Sequence, residues 1–232
     1  MSDNETKELQ PIFPDGALAQ NLSRRKFFGW MGAGTALMVT AAACKKESGS
    51  NDGVDLGGGD IGVLNYAYAL EQLEAAFYVQ VIKTPYSNMS AQEKSYLTDV
   101  RDHELAHREF FKAALSTKAI QALEVNFSAI DFTNRASVLG TAKAFEDLGV
   151  TAYNGAGKLL VSPDYLTIAG KIVSVEARHA ALIRDLITPG SFGDMTAVNA
   201  MGLDGARAPK EVLAIASAYL KTKINANNLP TS

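Results

Sequence analysis

The chain has 232 residues, of which 47% are hydrophobic, and its formal net charge at pH 7 is −3. This length and composition suit one sizeable globular domain with a leader. The slightly negative charge provides no basic surface for nucleic acid, so no nucleic-acid partner is expected. Cys44 is the only cysteine, which excludes a disulfide within the chain and a metal site built from paired cysteines.

Residues 1–43 have the features of an export leader and are not expected to belong to the folded domain. Residues 23–28, Ser-Arg-Arg-Lys-Phe-Phe, resemble a twin-arginine export signal. The apolar run that follows is short for a transmembrane helix, and it ends at Ala-Ala-Ala followed by Cys44. This junction resembles a lipoprotein signal, although Ala41 stands where leucine is usual. We predict an exported, lipid-anchored protein of the periplasm or cell envelope. Cleavage after Ala43 without lipidation, or an uncleaved anchor, is the alternative.

A flexible tether is predicted over residues 44–59, which are rich in Gly, Ser, Asn and Asp. The first helix of the folded domain is predicted at about 60–83. On this helix, Glu71 and Glu74 lie on a face that is otherwise apolar or aromatic and includes Leu64. Both glutamates are therefore expected to point toward the core.

A capping box at residues 90–93, Ser-Ala-Gln-Glu, predicts the start of a second helix over about 91–117. This helix contains Glu104 and His107. Residues three apart on an α-helix lie on one face, so this carboxylate and this imidazole can bind the same metal ion. His103 is one position from Glu104 and points about 100° away. We interpret it as a surface residue or a neighbour of the ligands, and not as a ligand.

The third helix is predicted at about 134–160 and carries Glu146. A fourth helix is predicted to begin at the cap formed by residues 162–164, Ser-Pro-Asp, and to end before a Pro-Gly pair. It carries Glu176 and His179, which repeat the Glu-x-x-His spacing of the second helix.

Two stretches, residues 71–78 and 146–153, share the pattern Glu-x-Leu with a tyrosine seven positions after the glutamate. Each stretch precedes one Glu-x-x-His motif, which indicates an internal repeat of a helix pair. The repeat matches Glu71 with Glu146, whereas Glu74 matches a glycine. We therefore predict Glu71 as the direct ligand and Glu74 as a secondary ligand or a neighbour of the ligands.

Four helices that supply Glu, Glu-x-x-His, Glu and Glu-x-x-His are the pattern of di-metal carboxylate bundles. Four carboxylates and two imidazoles suit two divalent cations, and oxygen-rich ligation favours iron, with manganese as the alternative, over structural zinc. Glu104 and Glu176 are the expected bridging carboxylates. Tyr78 and Tyr153 are expected either to donate hydrogen bonds to ligating carboxylates or to be core aromatics only. The predicted ligands are Glu71, Glu104, His107, Glu146, Glu176 and His179.

This ligand set and residues 64–78, Leu-Asn-Tyr-Ala-Tyr-Ala-Leu-Glu-Gln-Leu-Glu-Ala-Ala-Phe-Tyr, resemble the ferritin-like superfamily. The narrower resemblance is to bacterial ferritin-like domain proteins related to plant desiccation-related proteins. It implies an all-α fold, a ferritin-like four-helix bundle over 60–188 with a long crossover between helices two and three. Residues 118–132 are numerous enough for that crossover. Residues 189–232 are then a C-terminal extension with a short helix at about 209–223.

Three functions are compatible with this resemblance. The first is a di-metal oxidoreductase, ferroxidase-like or manganese-catalase-like, that acts on O₂ or peroxide in stress protection. The second is an iron-storage cage, which a lipid on every N-terminus disfavours. The third is a non-enzymatic envelope or desiccation stress protein in which the metal site is structural. The first is the function that we expect.

Overall fold

The computed structural model describes residues 53–231, so the predicted leader, the first part of the predicted tether and Cys44 lie outside the described residues. Within that range, four long α-helices form a bundle, in agreement with the predicted all-α fold. A fifth, shorter helix follows, and two strands of two residues each pair in parallel. The helices are α1 Gly59–Lys83, α2 Ala91–Leu115, α3 Arg135–Gly157, α4 Pro163–Ile187 and α5 Pro209–Ala216, and the strands are β1 Val54–Asp55 and β2 Ile224–Asn225. None of the helices in the described range is long and apolar enough to cross a membrane.

Three of the long helices begin at caps that the local sequence encodes. The Ser90 side chain accepts a hydrogen bond from the backbone N–H of Glu93, and the Glu93 side chain accepts one from the backbone N–H of Ser90. Asn134 accepts hydrogen bonds from two backbone N–H groups in the first turn of α3. Ser162 caps α4 directly before Pro163. Because the first N–H groups of a helix have no partner inside it, these caps fix the starts of α2, α3 and α4 locally.

Residues 116–134 join α2 to α3 and form the long crossover of the predicted fold. Two buried amide side chains of α1 hold this connection. Asn65 donates to the carbonyl oxygen of Lys118 at 3.0 Å and accepts from the backbone N–H of Ile120 at 3.0 Å. Gln72 accepts from a second backbone N–H of the crossover at 2.9 Å. Side chains of α1 therefore provide hydrogen-bond partners for backbone N–H and C=O groups of the crossover. Within the bundle, α1 packs against α2 and α3 packs against α4.

The C-terminal helix ends at Ala216, whereas the sequence predicts helix to about residue 223. A 3₁₀ turn over Ser217–Tyr219 follows, and backbone pairing with other segments replaces the rest of the predicted helix. The N–H of Asn126 donates to the carbonyl oxygen of Tyr219 at 2.7 Å, and the N–H of Lys221 donates to a carbonyl oxygen of the crossover at 2.8 Å. The N–H of Val54 donates to the carbonyl oxygen just before β2 at 2.8 Å, so β1, which lies in the predicted tether, pairs with the folded domain.

The segment between α4 and α5 packs on the outer side of α3 and α4. Arg184 is 4% exposed and donates to both carboxylate oxygens of Asp147, at 2.9 and 2.7 Å. It also donates to the hydroxyl of Thr196 at 2.7 Å. A Cβ atom at Gly155 would lie 1.8 Å from the carbonyl oxygen of Arg207, so only glycine permits this close approach. The extension is thus fastened to the two helices that carry half of the predicted ligands.

Candidate metal centre

The four long helices bring all six predicted ligands together in the interior of the bundle. The four glutamates are 0% exposed and His179 is 3% exposed. The spacing of three residues puts both groups of each Glu-x-x-His motif on the inner face of α2 or α4. The ligand atoms form two groups of four, with all atoms of a group within 4.8 Å of one another. One group is Glu71, Glu104, His107 and Glu176, and the other is Glu104, Glu146, Glu176 and His179.

The first group surrounds the Nδ1 atom of His107. This nitrogen lies 2.9 Å from Oε1 of Glu176, 3.5 Å from Oε2 of Glu71 and 4.0 Å from Oε2 of Glu104. One imidazole nitrogen and three carboxylate oxygens therefore converge on one point from three helices. We refer to this arrangement as the His107 position.

The second group surrounds the Nδ1 atom of His179. This nitrogen lies 2.9 Å from Oε1 of Glu104, 3.4 Å from Oε2 of Glu176 and 3.5 Å from Oε2 of Glu146. We refer to it as the His179 position. Glu104 and Glu176 each give one oxygen to the His107 position and the other oxygen to the His179 position. They therefore occupy the place of carboxylates that bridge two ions.

The eight converging atoms fit two divalent cations. All eight are buried and make no hydrogen bond of regular geometry. They contact only one another, in nitrogen–oxygen pairs as close as 2.9 Å, and a buried polar atom without a hydrogen bond costs about 1–3 kcal/mol. Two cations would supply partners for all of them. The charge also balances, since two divalent cations offset four carboxylates when the imidazoles are neutral. The atoms are Glu71 Oε2, Glu104 Oε1 and Oε2, His107 Nδ1, Glu146 Oε2, Glu176 Oε1 and Oε2, and His179 Nδ1.

Two tyrosines donate hydrogen bonds to Glu71 and Glu146, the two glutamates that belong to only one cation position each. In each case the acceptor is the carboxylate oxygen that points away from that position. Tyr78 on α1 donates to Oε1 of Glu146 on α3, and Tyr153 on α3 donates to Oε1 of Glu71 on α1. Both tyrosines are thus buried aromatics and also hydrogen-bond donors. The pairing is crossed, because each tyrosine serves the glutamate of the other repeat. It leaves Oε2 of each glutamate directed toward a cation position.

Glu74 lies beside the six ligands but belongs to neither group of four. Its side chain is buried, and its Oε1 atom lies 3.2 Å from the place where a Cβ of residue 149 would be. Gly149 therefore provides the space that the Glu74 carboxyl group occupies. Burial and the charges of Glu104 and Glu176 raise the pKa of Glu74 well above its usual value. The structure places Glu71, and not Glu74, among the converging atoms.

His103 contacts the site through His179, so it is a neighbour of the ligands, one of the two roles expected for it; that His179 is its partner was not predicted. Its Nδ1 atom lies 2.9 Å from Nε2 of His179, and the two rings stack with an interplanar angle of 12°. His103 is exposed, so it lies between the buried site and solvent. The sequence carries no signal for this contact, because it joins side chains of α2 and α4 that are 76 residues apart.

Without cations, several of the buried groups favour their protonated forms, but Glu176 does not: although burial opposes it, the two neighbouring imidazoles lower the pKa of Glu176 to about 2. Burial raises the pKa of Glu146 to about 7. Burial and the charge of Glu176 raise the pKa of Glu104 well above its usual value. Burial alone would lower the pKa of His107, but the carboxylates of Glu176 and Glu71 raise it to about 10. Because metal ligands must be deprotonated, the entry of two cations would release protons from this cluster.

A comparison with protein families identifies one matching model. The model, described as a ferritin-like domain, matches residues 59–189. The match covers α1 to α4 and includes every residue of the two cation positions. No curated protein matches the chain.

Proposed function

The chain belongs to the ferritin-like domain family, and on this premise we propose that it is an exported di-metal carboxylate protein that uses two divalent cations in redox chemistry with O₂ or peroxide. The observation that carries the proposal is the convergence of eight buried atoms without hydrogen bonds on two positions. Glu104 and Glu176 serve both positions, as bridging carboxylates do. The reaction is then Fe(II) oxidation or peroxide removal.

The donor set supports iron as the metal, with manganese as the alternative. Each position offers three carboxylate oxygens and one imidazole nitrogen. Structural zinc sites are usually built from cysteine and histidine, whereas carboxylates suit metals that favour oxygen. When bound, iron or manganese supplies the change of oxidation state that a reaction with O₂ or peroxide requires.

The side chains around the ligands have two roles in this proposal. Tyr78 and Tyr153 hold Glu146 and Glu71 in place through their hydrogen bonds, so that the inner oxygens keep their direction. In the metal-free site, burial and the neighbouring carboxylates raise the pKa of Glu74 well above its usual value, which favours a protonated carboxyl group. A proton there lies beside the positions where reduction of O₂ or peroxide would consume protons. After losing it, Glu74 could serve as an additional ligand.

The leader supports a role outside the cytoplasm. Twin-arginine export moves folded proteins, which suits a domain that takes up its metal ions before export. A lipid on Cys44 and the tether after it would hold the domain at a membrane surface, where we propose that it acts in stress protection. A lipid on each chain is difficult to combine with a soluble storage shell, so an iron-storage cage is the less favoured function.

Metal analysis and turnover assays of Glu104→Ala test the proposal. Wild-type protein purified from its native envelope should contain two iron or manganese ions per chain by elemental analysis. It should oxidise Fe(II) or consume peroxide. Glu104→Ala removes one oxygen from each position, so it should lose at least one ion and the turnover. Glu109→Ala is the matched control, because Glu109 lies on the same helix but is exposed and pairs with Arg108.

The possible outcomes separate the candidate functions. Wild-type protein with two bound ions and no turnover would replace the enzymatic proposal with the structural, stress-protein function. Wild-type protein without bound metal, or equal behaviour of Glu104→Ala and Glu109→Ala, would contradict the di-metal site itself. A particle far larger than a small oligomer by light scattering would favour the storage cage.

A further inference from the structure

The two cation positions differ in the contacts of the second ring nitrogen of their histidines, the one that points away from the carboxylates. At the His179 position, Nδ1 of His179 faces the carboxylates, and its other ring nitrogen, Nε2, lies 2.9 Å from Nδ1 of His103. The two rings are nearly parallel, with centroids 5.2 Å apart. His179 is 3% exposed, whereas His103 is exposed at the edge of the bundle. The buried histidine is therefore supported from behind by a second imidazole.

The His107 position lacks the corresponding partner. The internal repeat matches Glu104 with Glu176, so His107 corresponds to His179 and His103 corresponds to Val175. A valine side chain has no polar atom that could bond an imidazole nitrogen. Among residues 53–231, no group forms a hydrogen bond with Nε2 of His107. The six ligands follow the internal repeat, whereas His103 and Val175, which the repeat matches with each other, differ in chemistry.

The contact with His103 favours one tautomer of the neutral His179 ring. A neutral imidazole carries its proton on one nitrogen and offers a lone pair on the other. If Nε2 of His179 donates its N–H to Nδ1 of His103, the lone pair of His179 is on Nδ1, directed at the cation position. Hydrogen bonds of this kind fix the tautomer and the orientation of metal-binding histidines, and their loss lowers metal affinity by about 10–100-fold.

We infer that His103 is a positioning residue for His179 and that it makes the two cation positions unequal, so that the His179 position binds the first cation. The inference rests on the proposed function only in assuming that the pocket binds two cations. At the His107 position, no protein group of the described range holds the far side of the imidazole, which is 13% exposed. That position should therefore fill second and release its ion first. A neutral imidazole performs this role without adding a fifth negative charge to the cluster.

A stepwise titration of the metal-free domain with Co(II) tests this inference, since the absorption of bound Co(II) reports each position. Wild-type protein should bind two ions in two resolved steps. His103→Ala should weaken the first step by about 10–100-fold and leave the second unchanged, so that the steps merge. His103→Asn should restore part of the difference, because its side-chain oxygen can accept the same hydrogen bond. Val175→Ala is the matched control from the other repeat and should change neither step.

The ring proton of His179 gives a second measurement that does not depend on affinity. In Zn(II)-loaded protein with ¹⁵N-labelled histidine, the Nε2 proton of His179 should exchange slowly with water. Exchange should be faster in His103→Ala and slow again in His103→Asn. Two equal binding steps in wild type, or a first step unaffected by His103→Ala, would refute the role of His103 while leaving the di-metal site intact. Failure of wild type to bind Co(II) would refute both proposals.

Discussion

The hydrogen bond between Tyr153 and Glu71 predicts that removing a single hydroxyl group weakens the site and the fold. Tyr153 is 8% exposed and donates to Glu71, whose carboxylate is 0% exposed. Tyr66 is 1% exposed and its hydroxyl has no hydrogen-bond partner. Tyr153→Phe and Tyr66→Phe therefore delete the same atom from two buried tyrosines, but only the first leaves a buried carboxylate oxygen without its donor.

The expected loss can be estimated from the burial of that oxygen. Leaving a buried acceptor unsatisfied costs about 1–3 kcal/mol. In a domain of 150–250 residues, about 1 kcal/mol shifts the melting temperature by roughly 2–4 °C. Metal-free Tyr153→Phe should therefore melt about 2–12 °C below wild type. Tyr66→Phe should change by less than about 0.5 kcal/mol or be slightly stabilising, since it removes a hydroxyl that bonds to nothing.

The same substitution should act on one cation position more than on the other. Glu71 belongs to the His107 position only, so Tyr153→Phe should weaken binding there by about 10–100-fold and leave the His179 position nearly unchanged. Thermal unfolding in chelator, followed by circular dichroism, and titration with Mn(II) measure the two effects. Equal melting temperatures for Tyr153→Phe and Tyr66→Phe would show that the tyrosine hydroxyl does not support the carboxylate.

Two further predictions concern pH and the leader. Burial raises the pKa of Glu146 from 4.5 to about 7, so its proton stabilises the metal-free fold below pH 4.5 and this contribution is lost as the pH rises through 7. Urea unfolding in chelator should give a lower free energy of unfolding at pH 8 than at pH 5, and Glu146→Gln should reduce that difference; a flat profile for wild type would contradict the burial argument. For the leader, Cys44→Ser should release the protein from the membrane fraction and remove the lipid from its mass, whereas unchanged fractionation and mass would exclude lipidation.

The grouping of the six predicted side chains follows from the sequence in part, because the position of each on its helix depends on local geometry. The spacing of three between Glu104 and His107 fixes a shared helix face whatever the rest of the chain does. The repeat also favoured Glu71 over Glu74, and the structure places Glu71 among the converging atoms. Each choice used only helix periodicity and the order of residues along the chain, and neither required knowledge of how the helices pack.

Contacts between helices could not be predicted in the same way. Periodicity places Tyr78 on the inner face of α1, but its acceptor depends on the alignment of α1 with α3, which brings Glu146 within reach. The contact between His103 and His179 depends likewise on how α2 lies against α4. The early end of α5 at Ala216 has a related cause, because backbone pairing with the crossover overrides local helix preference.

Two departures from internal symmetry, at Glu74 and His103, give the two cation positions different surroundings. Two identical half-sites would give two cations the same surroundings, with no reason for one to bind before the other. Glu74 occupies the space beside Gly149, and a Cβ atom at 149 would lie 3.2 Å from its carboxyl oxygen, so the glycine of one repeat makes room for the third carboxyl group of the other. His103 similarly supports His179, while the matching position is Val175. The repeat supplies a pair of cation positions, and these non-repeated residues make them different. If the proposed function holds, substitutions at Glu74 and His103 should alter the reaction without removing any of the six predicted ligands.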